Sequence, residues 1–149
     1  MIKNEVYKNK LILKKEKAFY YNKKLSSSND AINFIRNILR LYEEPEEVLY
    51  VIGLDTKLNV NSFIEVARGE LSLLTTTGRE IFKRVILMNC NKIILTHNHP
   101  SGDVKPSKKD LEFTKKMSEI SNLLSIELID HIIIGENENY SILAEKTIK

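Results

Sequence analysis

Two histidines separated by one residue, near the end of a predicted strand, could bind a single metal ion. The run Ile93-Ile94-Leu95 predicts the strand, and His97 and His99 follow it. Because side chains alternate between the two faces of a strand, both imidazoles point to the same side. Asp110, at the start of the next predicted helix, supplies a carboxylate as the third ligand. Two imidazoles and one carboxylate leave a fourth tetrahedral position open for water, as in catalytic zinc sites.

The serine and aspartate that open this helix also have a purely structural interpretation. Ser107 followed by Asp110 fits a capping box, in which each side chain binds the backbone N–H of the other residue. A His-x-His pair alone is a weak signal for metal. Three features together favour a metal site: His-x-His-Pro at a strand end, a turn with Gly and Pro, and Ser-x-x-Asp at a helix start. The two interpretations are compatible, because a capping serine can still direct its hydroxyl toward the cavity.

The apolar pattern around these residues predicts a mixed sheet with helices on its faces, a fold of the α/β (α+β) class. The predicted strands are 48–54, 62–67, 93–95, 126–134 and a short edge strand at 141–144. The first two strands are predicted to be antiparallel, because only a short turn connects them. The predicted helices begin near Ser26-Ser27-Ser28-Asn29 and stop before Pro45, run from Gly78 to about Asn89, and open at Pro106-Ser107. The inner face of the third helix is predicted to carry Leu111, Thr114, Met117, Ile120 or Ser121, and Leu124.

Length and composition exclude several classes of protein. The 149 residues fit one domain, and 42% hydrophobic content is typical of a globular fold. No apolar run approaches the roughly 20 residues that a membrane-spanning helix needs. Cys90 is the only cysteine, which excludes an intrachain disulfide and metal sites built on paired thiolates. The sequence shows no secretory signal, so the cytoplasm is the expected location.

The first 27 residues form a lysine-rich lead, and residues 28–149 are predicted to form the domain. The lysines of the lead are Lys3, Lys8, Lys10, Lys14, Lys15, Lys17, Lys23 and Lys24. We favour a solvated arm for this segment, and a weak contact with nucleic acid is the alternative. The net charge of the whole chain, +3, is small and unevenly distributed, because these lysines crowd the first two dozen residues.

The motif around the two histidines resembles a known one. His97-Asn98-His99-Pro100 followed by Ser107-x-x-Asp110 resembles the JAMM (MPN+/JAB) metalloprotease motif, His-x-His-x(7)-Ser-x-x-Asp. The segments that resemble the RadC branch of that family are His97–Asp103, Pro106-Ser107, Asp110, Thr114, Asp130–Gly135 and Gly78–Phe82. The similarity runs from about Ser28 to the C-terminus. It implies a JAB/MPN, cytidine deaminase-like architecture in a stand-alone form without an N-terminal helix-hairpin-helix region.

The resemblance also implies a role for each residue of the motif. It makes His97, His99 and Asp110 the ligands of one zinc ion per chain, and it makes Ser107 a hydroxyl donor to the oxyanion. His131 is expected to occupy the core or to support a ligand rather than to bind the metal.

The family also uses a glutamate, at the start of an earlier strand, to hold the metal-bound water. Glu47 directly precedes the first predicted strand and is our choice for this role. Glu46, one position earlier, is the first alternative for this role, and Glu65 on the second predicted strand is a weaker one. Glu80 fits better as an acid in the first turn of a helix, where its negative charge interacts favourably with the helix dipole.

The resemblance therefore predicts a zinc-dependent metallopeptidase-like hydrolase that acts on a peptide or isopeptide bond of an unidentified protein substrate. Two alternatives stay open: a nucleic-acid-binding accessory module associated with DNA repair, and a scaffold that keeps the metal without turnover. No membrane partner is expected. The exposed edge strand leaves room for a homodimer, although the sequence does not determine the oligomeric state.

Overall fold

One mixed β-sheet organises the computed structural model, which describes residues 7–8, 10, 12–69 and 76–149. Its strands are β1 Val48–Leu54, β2 Val60–Arg68, β3 Lys92–Asn98, β4 Glu127–Ile134, β5 Asn139–Ser141 and β6 Lys146–Ile148. They lie in the order β2-β1-β3-β4-β5-β6. The α-helices within these ranges are α1 Ser28–Phe34, α2 Gly78–Leu87 and α3 Lys108–Leu123. The predicted fold class, a mixed sheet flanked by helices, is confirmed.

Strand β3 lies in the middle of the sheet and has two different neighbours. It pairs antiparallel with β1 and parallel with β4. The parallel pair requires a crossover, which α3 provides. Strands β1 and β2 form the predicted antiparallel hairpin, because the Asp55 carboxylate accepts the backbone N–H groups of Lys57 and Asn59 and fixes the turn.

The sheet separates two apolar clusters. Phe34 of α1 and Ile94 of β3 belong to the cluster on one side, which we call the α1 face. Ile81 of α2, Met117 of α3 and Leu95 of β3 belong to the other cluster, on what we call the α3 face. The neighbours Ile94 and Leu95 enter opposite clusters because side chains alternate along a strand. Burial on both faces explains why the central strands are apolar throughout.

The first helix is shorter than predicted. Its start agrees with the sequence, since the Ser27 hydroxyl accepts the N–H of Asp30 and caps α1. After Phe34, however, the chain forms a π-helical turn over Ile35–Leu39 and then a 3-10 turn over Leu41–Glu43. Arg40 lies between the two turns with a φ of 54°, in the left-handed region, and this ends the helix before Pro45 can.

The predicted edge strand at 141–144 is wrong. Strand β5 ends at Ser141, residues 142–145 form a turn, and β6 is the edge of the sheet. The turn is stabilised by the Ser141 hydroxyl, which accepts the N–H of Ala144 at 3.1 Å and donates to the Asp130 carboxylate at 2.6 Å. Sequence alone did not reveal this contact with Asp130.

Two leucines that were predicted on the inner face of α3 are not buried. Leu111 and Leu124 are 48% and 40% exposed, whereas Asp110 and Phe113 are buried. The predicted Thr114 and Met117 do lie inside. The buried stripe therefore begins at an acidic residue rather than at a leucine.

The described part of the lysine-rich lead lacks regular secondary structure before α1. Lys3 lies outside the described residues, and the other lysines of the lead are exposed. Aromatic residues connect the end of the lead to the α1 face, with Tyr21 packed on Phe34 at 4.9 Å between ring centroids. Both interpretations of the lead, and its boundary at residue 27, stay predictions. Across the described ranges, no helix has the length and apolar character to cross a membrane.

Candidate metal centre

Three side chains with ligand atoms converge on the α3 face. The Nε2 atoms of His97 and His99 lie 3.0 Å apart. One Asp110 carboxylate oxygen is 3.4 Å from His97 Nε2, and the other is 3.5 Å from His99 Nε2. His97 and Asp110 are buried, whereas His99 is partly exposed. The structure therefore brings the three predicted ligands together as a group that could hold a metal ion.

Each of the three side chains is placed by the end of a secondary-structure element. His97 lies within β3, and His99 follows the strand, where its N–H continues the ladder by donating to the Ile134 carbonyl at 2.9 Å. Asp110 occupies the first turn of α3 and forms the predicted capping box with Ser107. The Ser107 N–H and hydroxyl both donate to the same Asp110 oxygen at 2.7 Å. The helix cap therefore also orients the carboxylate that faces the histidines.

The second histidine is oriented by the loop that follows it. His99 Nδ1 lies 2.7 Å from the backbone carbonyl of Asp103. Because a carbonyl only accepts hydrogen bonds, Nδ1 carries the proton, and Nε2 of the neutral ring presents its lone pair to the group. The orienting role of Asp103 was not predictable from the sequence, since a backbone carbonyl leaves no signal in the residue type.

The first histidine contacts a third one. His97 Nδ1 lies 2.8 Å from His131 Nε2, and His131 Nδ1 lies 2.6 Å from the Thr114 hydroxyl. The Thr114 hydroxyl donates to the backbone carbonyl of Asp110 at 2.6 Å. His131 is fully buried and lies behind His97, away from the group that could hold the metal.

The protonation states of these residues differ because their surroundings differ. Burial, together with His131, lowers the pKa of His97 well below its ordinary value. Burial opposes ionisation of Asp110, but its interactions with His99 and His97 and the hydrogen bonds donated by Ser107 lower its pKa overall. Burial also opposes protonation of His99, yet Asp110 and the Asp103 carbonyl raise its pKa. At neutral pH an ionised Asp110 and a neutral His97 are therefore the forms present, and these are the forms that bind metal.

Among the glutamates considered in the sequence, Glu47 is the one whose charge acts on a residue of this centre, as the smallest of the causes that shift the pKa of His99. Its charge contributes to the raised pKa of His99. Glu46 and Glu65 instead form ion pairs with Arg68, at 3.4 Å and 2.9 Å. Glu47 is half-buried and directly precedes β1. The catalytic role of Glu47 stays a prediction.

The residue between the two histidines holds the segment that contains Glu47. The Asn98 side chain is buried and accepts the N–H of Val48 at 2.8 Å. Its amide donates to the carbonyls of Glu44 and Glu46, at 3.2 Å and 2.9 Å. Sequence analysis included Asn98 only as part of the His-x-His motif. A polar residue that points away from the metal side of a buried strand was the available signal.

A cavity of about 400 Å³ has His99 in its lining, whereas His97, Asp110 and Ser107 do not line it. Segment 42–45 and segment 134–136 form its walls, and segment 98–100, which includes His99, lies between them. Arg36 connects the two walls, because its guanidinium stacks 4.4 Å from the Tyr42 ring centroid and donates to carbonyls of segment 134–136. The cavity therefore offers space for an extended molecule next to His99.

The sequence is similar to a set of bacterial proteins. Residues 25–148 match the family described as the RadC-like JAB domain. A UPF0758 protein of Clostridium acetobutylicum is 40% identical over 136 residues, which cover 90% of this chain and 58% of that protein. UPF0758 proteins of Clostridium perfringens and Chlorobium phaeovibrioides are 40% and 38% identical, over 84% and 80% of this chain. The chain spans little more than half the length of these relatives, 53% to 58%.

Proposed function

This chain belongs to the RadC-like JAB domain family, and we propose that it is a zinc-dependent hydrolase of peptide or isopeptide bonds. The observation that carries the proposal is the convergence of His97, His99 and Asp110 on one point. Membership in a family of JAB-like domains supports the same chemistry. The substrate is proposed only as a class, an amide carbonyl in a protein or peptide.

The spacing of the donor atoms supports zinc as the metal. Zinc bonds to nitrogen and oxygen measure about 2.0–2.1 Å, so two ligand atoms of a tetrahedral site lie about 3.3 Å apart. The three distances here are 3.0, 3.4 and 3.5 Å. Two neutral imidazoles and one carboxylate also match the ligand set of catalytic zinc sites, which keep one position for solvent.

The chain itself would supply the proton transfer and the charge stabilisation. When bound, zinc supplies Lewis acidity that polarises a carbonyl and lowers the pKa of water to about 7. Glu47 accepts a proton from the attacking water and returns it to the departing amine, so that the glutamate is regenerated. Ser107 donates its hydroxyl to the developing oxyanion, although in the ligand-free geometry that hydroxyl donates to Asp110. The cavity beside His99 receives the polypeptide on one side of the scissile bond.

The first test is metal content. We expect about one zinc per chain in protein prepared with zinc present, measured by elemental analysis, and less than a tenth of that in His97→Ala. A wild-type protein without zinc after such a preparation would refute the proposal. Stoichiometric zinc that is unchanged in His97→Ala would also refute the assigned site.

The second test separates hydrolysis from metal binding. A mixed peptide library is incubated with the zinc-loaded protein, and the products are identified by mass spectrometry. Glu47→Gln should keep zinc and lose roughly 10²–10⁴ of the cleavage rate, as expected for loss of a general base. Glu46→Gln is the matched control, because this neighbour pairs with Arg68, and it should keep the wild-type rate. Equal rates for wild type and Glu47→Gln would remove Glu47 from the mechanism.

A further inference from the structure

A chain of buried hydrogen bonds connects helix α3 to the imidazole of His97. It runs from the Asp110 carbonyl to the Thr114 hydroxyl, then to both ring nitrogens of His131, and ends at His97 Nδ1. Its successive distances are 2.6, 2.6 and 2.8 Å. Thr114, His131 and His97 are all buried, so water does not compete for these contacts.

The donor and the acceptor of each hydrogen bond in this series follow from its first member, the Asp110 carbonyl. The Asp110 carbonyl can only accept, and two oxygens 2.6 Å apart without a proton between them would repel, so the Thr114 hydroxyl donates to it. Having used its proton there, the hydroxyl accepts from His131 Nδ1. The Nε2 atom of the neutral His131 is then an acceptor, and His97 Nδ1 must carry the proton that it accepts.

We propose that Thr114 and His131 are positioning residues that fix His97 in the tautomer with its proton on Nδ1. The inference rests on the proposed metal site, because its consequence is that the Nε2 lone pair of His97 faces Asp110 and His99. In the opposite tautomer an Nε2–H group would occupy the direction of the metal. The loop carbonyl of Asp103 fixes His99 in the same way, so two independent devices aim both lone pairs at one point.

Burial makes the device specific. His131 is fully buried, and its two ring nitrogens contact the Thr114 hydroxyl and His97 Nδ1, so that it donates at one nitrogen and accepts at the other, as a neutral imidazole does. A neutral amide or phenyl group in its place could not perform both functions with the same geometry. The Phe113 ring, 5.9 Å from the His131 ring, packs beside it and contributes to the dry surroundings.

The experiment reads the tautomers directly in metal-free protein. Nitrogen-15 NMR of the imidazoles at about pH 8, with a chelator present, distinguishes protonated from bare ring nitrogens. In the wild type we expect protonated Nδ1 and bare Nε2 for both His97 and His131. Thr114→Val should lose this preference, and its zinc affinity should fall roughly 10–100-fold. Thr114→Ser keeps a hydroxyl and should restore both readouts.

Thr96→Val is the matched control. Its hydroxyl is also buried, on β3 directly before His97, but it has no hydrogen-bond partner among the described residues. This variant should keep the wild-type tautomers and affinity. A wild-type His97 protonated at Nε2 would overturn the proposal, and this result does not depend on whether any variant folds. Unchanged tautomers in Thr114→Val would also overturn it.

The two proposals fail in different ways. A wild type that binds no zinc but shows the expected tautomers would refute the hydrolase and leave the positioning role in place. A zinc-binding wild type with mixed His97 tautomers would refute the positioning role and leave the metal site in place.

Discussion

The two faces of the sheet use buried polar groups in different ways. On the α3 face, His97, His131 and Thr114 are buried and each has a hydrogen-bond partner. On the α1 face, the buried side chains beneath the helix are mostly apolar. Asn98 and Asp130 are its hydrogen-bonded polar residues, and they accept from the Val48 N–H and the Ser141 hydroxyl. Thr96 stands across from Tyr50 and Ile132 with its hydroxyl unpartnered among the described residues. One strand, β3, contributes to both environments because its side chains alternate.

The difference indicates a division of labour within one small domain. Apolar burial stabilises a fold without requiring exact directions, whereas hydrogen-bonded polar groups fix directions and contribute less net stability. The α1 face therefore contributes mainly stability. The α3 face combines stability with orientation of the residues that could hold a metal ion. Four predictions test this separation.

The largest expected effect is on stability alone. Phe34 on the α1 face is buried and contacts the rings of Tyr21 and Phe63. Phe34→Ala should lower the free energy of unfolding by about 3–5 kcal/mol in denaturant titrations and leave zinc affinity unchanged. Phe113→Ala on the α3 face is the comparison, and it should lower both the free energy of unfolding and the zinc affinity. A tenfold loss of zinc affinity in Phe34→Ala would contradict the separation of the two faces.

Metal binding should stabilise the domain through the α3 face only. Free zinc buffered at about 1,000 times its Kd should raise the free energy of unfolding by about 4 kcal/mol. A chelator should remove the increment. Asp110→Asn loses a charged ligand and should show no increment at the same zinc concentration. An equal increment in this variant would mean that zinc binds elsewhere.

Acid should destabilise the metal-free protein through His131. Its pKa is about 4 in the fold, from an ordinary value of 6.5, because burial disfavours the charged form. The unfolded chain therefore takes up the proton first, and stability that is present above pH 6.5 is lost as the pH falls toward 4, by up to about 3 kcal/mol. Unfolding titrations with chelator at several pH values measure how steeply the free energy of unfolding changes with pH, and we call this change the slope. His131→Phe should flatten it, and an unchanged slope would assign the effect to other groups.

The smallest effect concerns a pair of identical substitutions on the two faces. Thr96→Val removes an unpartnered buried hydroxyl and should raise the free energy of unfolding by about 1 kcal/mol. Thr114→Val breaks two hydrogen bonds and should lower it by about 1–3 kcal/mol. Thermal and denaturant unfolding of both variants provide the comparison. Changes of the same sign in the free energy of unfolding would show that the two hydroxyls are equivalent.

Much of the fold was predictable where the signal is local. The apolar run at 48–54 is β1, and Ser107 caps α3 together with Asp110, as its spacing predicts. These features depend on residues within a few positions of one another. The turn at 142–145 was missed because it depends on Asp130, eleven or more positions earlier, which binds Ser141.

The face of α3 shows a different kind of failure. Apolar periodicity predicted Leu111 and Leu124 inside, yet the same sequence analysis predicted Asp110 as a ligand, which requires Asp110 to face inward. Leu111 lies about 100° from Asp110 around the helix, and the structure buries the aspartate. Leu124 is exposed at the C-cap position, after the last residue of α3. The partner of His97 was not predictable as a contact, since His131 lies 34 positions away in the sequence.

The three ligand residues occupy one short piece of chain, with thirteen positions from His97 to Asp110, whereas Glu47 lies fifty positions before His97. Closing so short a loop costs little chain entropy compared with bringing β1 alongside β3. During folding, an ion can therefore be captured by local contacts before the hairpin docks. We expect refolding in zinc to pass through a metal-bound species in which Glu47 does not yet lie beside the three residues.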